Sequence, residues 1–103
     1  MIRYEVTLNV EKDIETRFKK WLEPHVKQML SFKGFMKASI HEEISENKNE
    51  IIVIINYIID CIDNLKYYFN INSSKMREDG LLNFPNQFTA TRKVFDGNQE
   101  INL

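Results

Sequence analysis

Glycine and proline are scarce in this 103-residue sequence, at three and two copies, and cysteine occurs once. So little glycine leaves no glycine-rich phosphate loop and no flexible linker. A lone Cys61 cannot close an internal disulfide and fits a reducing compartment. His25 and His41 stand far apart, so no zinc-ligand spacing exists, and there is no acidic calcium loop or serine nucleophile elbow. Excess charge is missing too: 14 Lys and Arg face 15 Asp and Glu, a net of -1, which argues against a general nucleic-acid binder. Long apolar runs are absent. The longest, Ile51 to Ile59, is interrupted by Asn56 and has under half of the roughly 20 residues that a membrane-spanning helix needs. The opening Met1-Ile2-Arg3-Tyr4-Glu5 alternates, unlike a secretory signal. The expectation is one soluble, cytoplasmic domain over residues 1–95, with a flexible tail at 96–103, and no metal, cofactor, membrane or nucleic-acid partner.

What is present is periodicity. Ile2, Tyr4, Val6, Leu8 and Val10 alternate with Arg3, Glu5, Thr7 and Asn9, as in a strand with one buried face. Ile14, Phe18, Trp21, Leu22, His25, Val26, Met29 and Leu30 then recur at helical steps, with a kink or break expected near Trp21-Leu22 because Pro24 removes a donor. Gly34 is a plausible stop. Met36, Ala38, Ile40 and Ile44 alternate with Lys37, Ser39, His41 and Glu43; a polar turn and the β-branched run Ile51–Ile59 complete a hairpin. Asp60 and Asp63 suit the first turn of a second helix carrying Ile62, Leu65, Tyr68 and Phe69. Ser73 or Ser74 opens a short extra helix through Asp79, closed by Gly80, and Phe88–Phe95 forms the last strand.

The order strand, helix, strand, strand, helix, strand predicts an α+β, ferredoxin-like βαββαβ domain. Its antiparallel sheet has order 4-1-3-2, with two helices on one face. The third strand offers isoleucine to both faces, while helices cover only one. An exposed flat β-branched strand is an association hazard, so a homodimer through the helix-free face is expected.

Trp21-Leu22-Glu23-Pro24-His25-Val26, with Met29-Leu30 and Gly34-Phe35, resembles a helix motif of a bacterial domain-of-unknown-function family, DUF4286. Ile2–Thr7, Met76-Arg77-Glu78-Asp79-Gly80-Leu81 with Phe84, and Phe88–Phe95 match its other segments. One departure is that Lys27 stands where the family pattern has proline after the histidine pair; here Pro24 precedes His25. The family looks like a branch of the dimeric α/β barrels. Relatives of that kind include cofactor-independent monooxygenases, haem-degrading enzymes, isomerases and stress-response proteins, so the resemblance implies fold and dimer more than activity.

Among individual residues His25 is the sharpest candidate, being an imidazole within an apolar stripe. It serves either as general base or axial ligand, or as a core histidine tied to a backbone carbonyl. Tyr4 and Tyr57 on the central strands, Trp21 as a wall and Arg92 as an anion fork complete a candidate pocket, although Arg92 is equally suited to pair with Glu5 across the strands. His41 is expected to be exposed or at a dimer seam, and Cys61 to be inert packing. The third strand lacks the aromatics of an RNA-recognition module, so haem and RNA binding rank last. Two functional readings remain: a dimer that binds a small apolar ligand or a protein partner without catalysis, and a cofactor-independent monooxygenase or isomerase using His25 as base.

Overall fold

A computed structural model describes residues 1–103. In β1 (Ile2–Glu11) every even residue from Ile2 to Val10 is buried, as the alternation requires. A 3-10 turn at Lys12–Ile14 leads into α1 (Glu15–Met29), which buries Phe18, Leu22, Val26 and Met29. The hairpin of β2 (Phe35–Glu42) and β3 (Glu50–Ile59) follows, then α2 (Ile62–Ile71), α3 (Ser73–Asn83) and β4 (Phe88–Asp96). Residues 97–103 carry no helix or strand. No helix is long and apolar enough to cross a membrane.

The sheet is antiparallel with order β2-β3-β1-β4, which is the expected 4-1-3-2 read from the other edge. The fold is ferredoxin-like. β1 and β3 are central and run in register, with Tyr4 opposite Tyr57, Val6 opposite Ile55 and Leu8 opposite Val53. These side chains join Phe18, Leu22, Met29, Leu65, Tyr68 and Met76 in one core between sheet and helices.

Several local expectations are corrected. Helix α1 is not broken at Pro24. That residue is exposed, so the carbonyl of Lys20, which loses its donor, also lies on the wet side while the buried stripe passes unbroken. Gly80 does not close the third helix; α3 runs through it to Asn83. A Cβ at Gly80 would stand 3.1 Å from Phe88 Cζ and 3.2 Å from Trp21 Cη2, so the glycine serves close approach rather than termination. The stop falls instead at Phe84, where Pro85 disfavours a helical predecessor. Ser73 does not cap α3, because its hydroxyl donates back to the Phe69 carbonyl at 2.8 Å. In β2 a bulge between Phe35 and Lys37 turns Phe35 inward and pushes Met36 out, and Ile44 lies beyond the strand, fully exposed.

Arg92 cannot pair with Glu5. It sits opposite Val6, on the helix-covered face, whereas Glu5 lies opposite Lys93 and Asn56 on the bare face. That bare face also carries Ile52, Ile54 and Ile58 of β3, all half-buried.

Gly34 lies beyond the end of α1, at φ +85, and its carbonyl accepts a hydrogen bond from the Asp60 N–H at 2.9 Å. A Cβ there would meet Asp60 Oδ1 at 2.5 Å and Asn64 Nδ2 at 2.6 Å. Gly34→Ala is therefore expected to cost more than about 1 kcal/mol in urea unfolding, from left-handed strain plus collision. Gly97→Ala provides the control, since Gly97 is equally left-handed (φ +82) with nothing within 4 Å. Equal losses in the two variants would show that the contact with Asp60 and Asn64 is of no consequence.

Candidate functional site

Between the helices and the β1–β4 side of the sheet lies a cavity of about 60 Å³. All five residues singled out from sequence, Tyr4, Trp21, His25, Tyr57 and Arg92, border it. The strands supply Tyr4 and Tyr57 because even residues of β1 and odd residues of β3 share the covered face. Trp21 and His25 are four residues apart on α1, hence one above the other on its inner side. Their rings stack with centroids 4.4 Å apart at 28°.

Asp79 on α3 organises this pair, and the sequence reading did not single it out. Its Oδ2 accepts a hydrogen bond from Trp21 Nε1 at 3.1 Å, and its Oδ1 accepts one from Asn83 Nδ2 at 3.1 Å. His25 Nδ1 stands 3.6 Å from the same Oδ2, too far for a hydrogen bond, and is buried without any other partner. Burial lowers the His25 pKa below the ordinary histidine value, and the attraction of Asp79 only partly opposes it. The imidazole is thus neutral at pH 7. Asp79 faces Nδ1 of the ring.

The remaining lining was not anticipated either. Tyr68 from α2, Met76, Arg77 and Gly80 from α3, and Phe88 from β4 complete much of the wall. Burial pushes the Tyr57 and Tyr68 phenols far above their usual range, so both are hydrogen-bond donors rather than bases. The positive charges of Arg77 and Arg92 act on the Tyr68 phenol in the opposite direction, more weakly than burial. Arg77 is one of two cations on α3, with Lys75, and nothing in the chain order says which of them faces the sheet.

His41 lies away from the cavity, exposed on β2, with its Nε2 3.0 Å from Ser39 Oγ. Cys61, expected to be packing, is instead exposed at the N-terminal boundary of α2. Nowhere do three or more His, Cys, Asp or Glu side chains gather as a metal ion would require.

No curated protein matches the chain. Solved structures do. A protein from Deinococcus radiodurans, provisionally named an antibiotic biosynthesis monooxygenase, superposes with a TM-score of 0.76 at 13% identity, covering 100% of this chain and 98% of that one. A protein from an uncultured marine organism, described as a dimeric ferredoxin-like protein, gives 0.73 at 14% identity with 100% of both chains covered. SnoaB, a cofactor-independent oxygenase from Streptomyces nogalater, gives 0.68 at 10% identity, covering 97% of this chain and 96% of that one. At such identities the likeness establishes the ferredoxin-like fold and no more. A family model is more specific: residues 1–97 match the one described as Domain of unknown function (DUF4286), and the chain belongs to that family.

Proposed function

We propose that the protein is a homodimer that binds a small, largely apolar molecule in the cavity between its helices and its sheet, without catalysing a reaction on it. The cavity carries this reading: twelve of its sixteen lining residues are hydrophobic, and a few polar groups converge on it from different elements. Its volume of about 60 Å³ is small beside the roughly 300–1,000 Å³ of typical ligand pockets. The reading therefore calls for a small ligand and for yielding walls, which Met29 and Met76 provide as flexible, polarisable side chains.

The dimer half of the proposal rests on the bare face. Asn56 stands in the middle of β3 between Glu5 and Ser39, and its Oδ1 is buried without a donor. Half-buried isoleucines flank it along the strand. A second copy laid on this face would cover the isoleucines and bring donors within reach of the orphaned oxygen. The marine neighbour is described as dimeric, which supports a dimer without indicating the face used.

A second reading is favoured by one feature, the neutral His25 faced by Asp79. On this reading Nε2 takes a proton from an enol or activated CH₂ group, and the resulting carbanion reacts with dioxygen. One oxygen atom ends in the product and the other in water. The description of SnoaB as a cofactor-independent oxygenase lends it support.

Three measurements separate these possibilities. Trp21 is the only tryptophan and borders the cavity, so its fluorescence reports occupancy by added small aromatic or branched aliphatic molecules. Saturable quenching without product formation in aerated solution is expected; turnover that disappears in His25→Gln would establish the second reading instead. Sedimentation should give twice the 12.3 kDa chain mass, and Ile54→Lys should halve it while leaving the far-UV spectrum intact. A folded wild-type monomer at micromolar concentration removes the dimer. Finally, because the folded His25 pKa lies below the unfolded value, acid protonates the unfolded chain first. Stability from this group is complete above the unfolded pKa, near 6.5, and is lost as pH falls through it toward the folded value. Urea unfolding from pH 7.5 to 5 should show wild type losing stability relative to His25→Gln, and parallel curves would contradict a desolvated imidazole.

A further inference from the structure

The chain contains four arginines, and they divide into two kinds. Arg3 lies over the Phe95 ring at 4.4 Å and Arg17 over the Phe84 ring at 5.6 Å, so each already has an aromatic face to rest on. Arg77 and Arg92 have neither a ring nor an acid. The ion pairs of the molecule are made by Lys19, Lys27 and His25, although 15 carboxylate side chains are available. Both of these arginines instead border the cavity, one from α3 and one from β4, and no Asp or Glu borders it with them.

From this pairing of two uncommitted arginines on the lining of one acid-free apolar cavity, we infer that its ligand is a small monocarboxylate, with the carboxylate held by Arg77 and Arg92 and the apolar body turned inward. The inference deepens the proposed binding function and rests on the cavity being the ligand site. Guanidinium is the group whose planar fork matches a carboxylate, and two forks from different elements fix its direction as well as its charge. Tyr68 borders the same cavity, and its neutral hydroxyl can serve as a further donor. His25 adds no competing positive charge, since burial keeps it unprotonated at pH 7. The body of the ligand meets Trp21, Phe18, Leu22 and Phe88, which favours an aromatic ring or a branched aliphatic chain over a sugar or a polyol.

The test compares charged and neutral isosteres. Benzoate and 3-methylbutanoate are titrated against benzamide and 3-methylbutanamide, at low salt, with Trp21 fluorescence and calorimetry as readouts. The acids should bind about tenfold tighter than the amides, the scale of one or two charge-assisted hydrogen bonds. Arg77→Gln/Arg92→Gln should remove that preference, so that each acid binds no tighter than its amide. Both residues are exposed, so the double variant should fold, as far-UV circular dichroism will show. If acids and amides bind wild type equally, or the preference survives in the double variant, the carboxylate clamp is wrong and the cavity reading stands. If none of the four compounds binds wild type, the cavity reading fails and takes the clamp with it.

Discussion

The antiparallel pairing of β1 with β3 fixes which side chains meet and which are left facing outward. Ten consecutive residue pairs, from Ile2 opposite Ile59 to Glu11 opposite Glu50, share one register. A slip by one residue would send Tyr4, Val6 and Leu8 to the bare face and expose the core, so the register is strongly enforced by burial. Two consequences follow from that one constraint. The tyrosines at positions 4 and 57 come together on the covered face, with ring centroids 5.9 Å apart. The isoleucines at 52, 54 and 58 are committed to the opposite face, where this chain has nothing to put over them. Cavity and bare face are the two sides of a single ladder.

How far the sequence disclosed this depends on whether a feature is local. Alternation in β1 is a local property, and each even residue lies where the parity puts it. The four-strand order follows because a short chain with two crossovers has few right-handed ways to close. Non-local features were hidden. The face that Arg92 occupies is set by its partner Val6, which is distant in the chain, and no spacing within Phe88–Phe95 reveals it. Asp79 reaches Trp21 across 58 positions. Gly80 was misread for a different reason: a glycine ending a helix and a glycine admitting two aromatic rings look the same in a linear string. The bulge in β2 was equally silent, since Phe35 and Met36 are interchangeable by hydropathy and only the ladder with β3 decides which one turns inward.

The chemistry of the site is best understood as a balance of isolation and contact. Asp79 is the one acid that faces His25, and its attraction raises the imidazole's basicity by less than burial lowers it. The result is a histidine that is aromatic in its packing against Trp21 and unprotonated at neutral pH. Such a group suits a binding wall and a proton acceptor alike. The fold does not choose between them, because architectures of this kind carry unrelated activities on the same frame.

The absence of a side chain at Gly80 has reach beyond local packing. It allows α3 to lie against Trp21 and Phe88, and the neighbours of that glycine along the same helix are Arg77 and Asp79. The depth to which one helix settles thus sets, together, the gap above the rings, the reach of a cation and the distance from carboxylate to imidazole. A bulkier residue at this position would hold the helix higher. Breadth of the chamber and acidity at its wall would then drift as one quantity, so that a change in what is accepted could proceed through a single codon in the chamber's own wall.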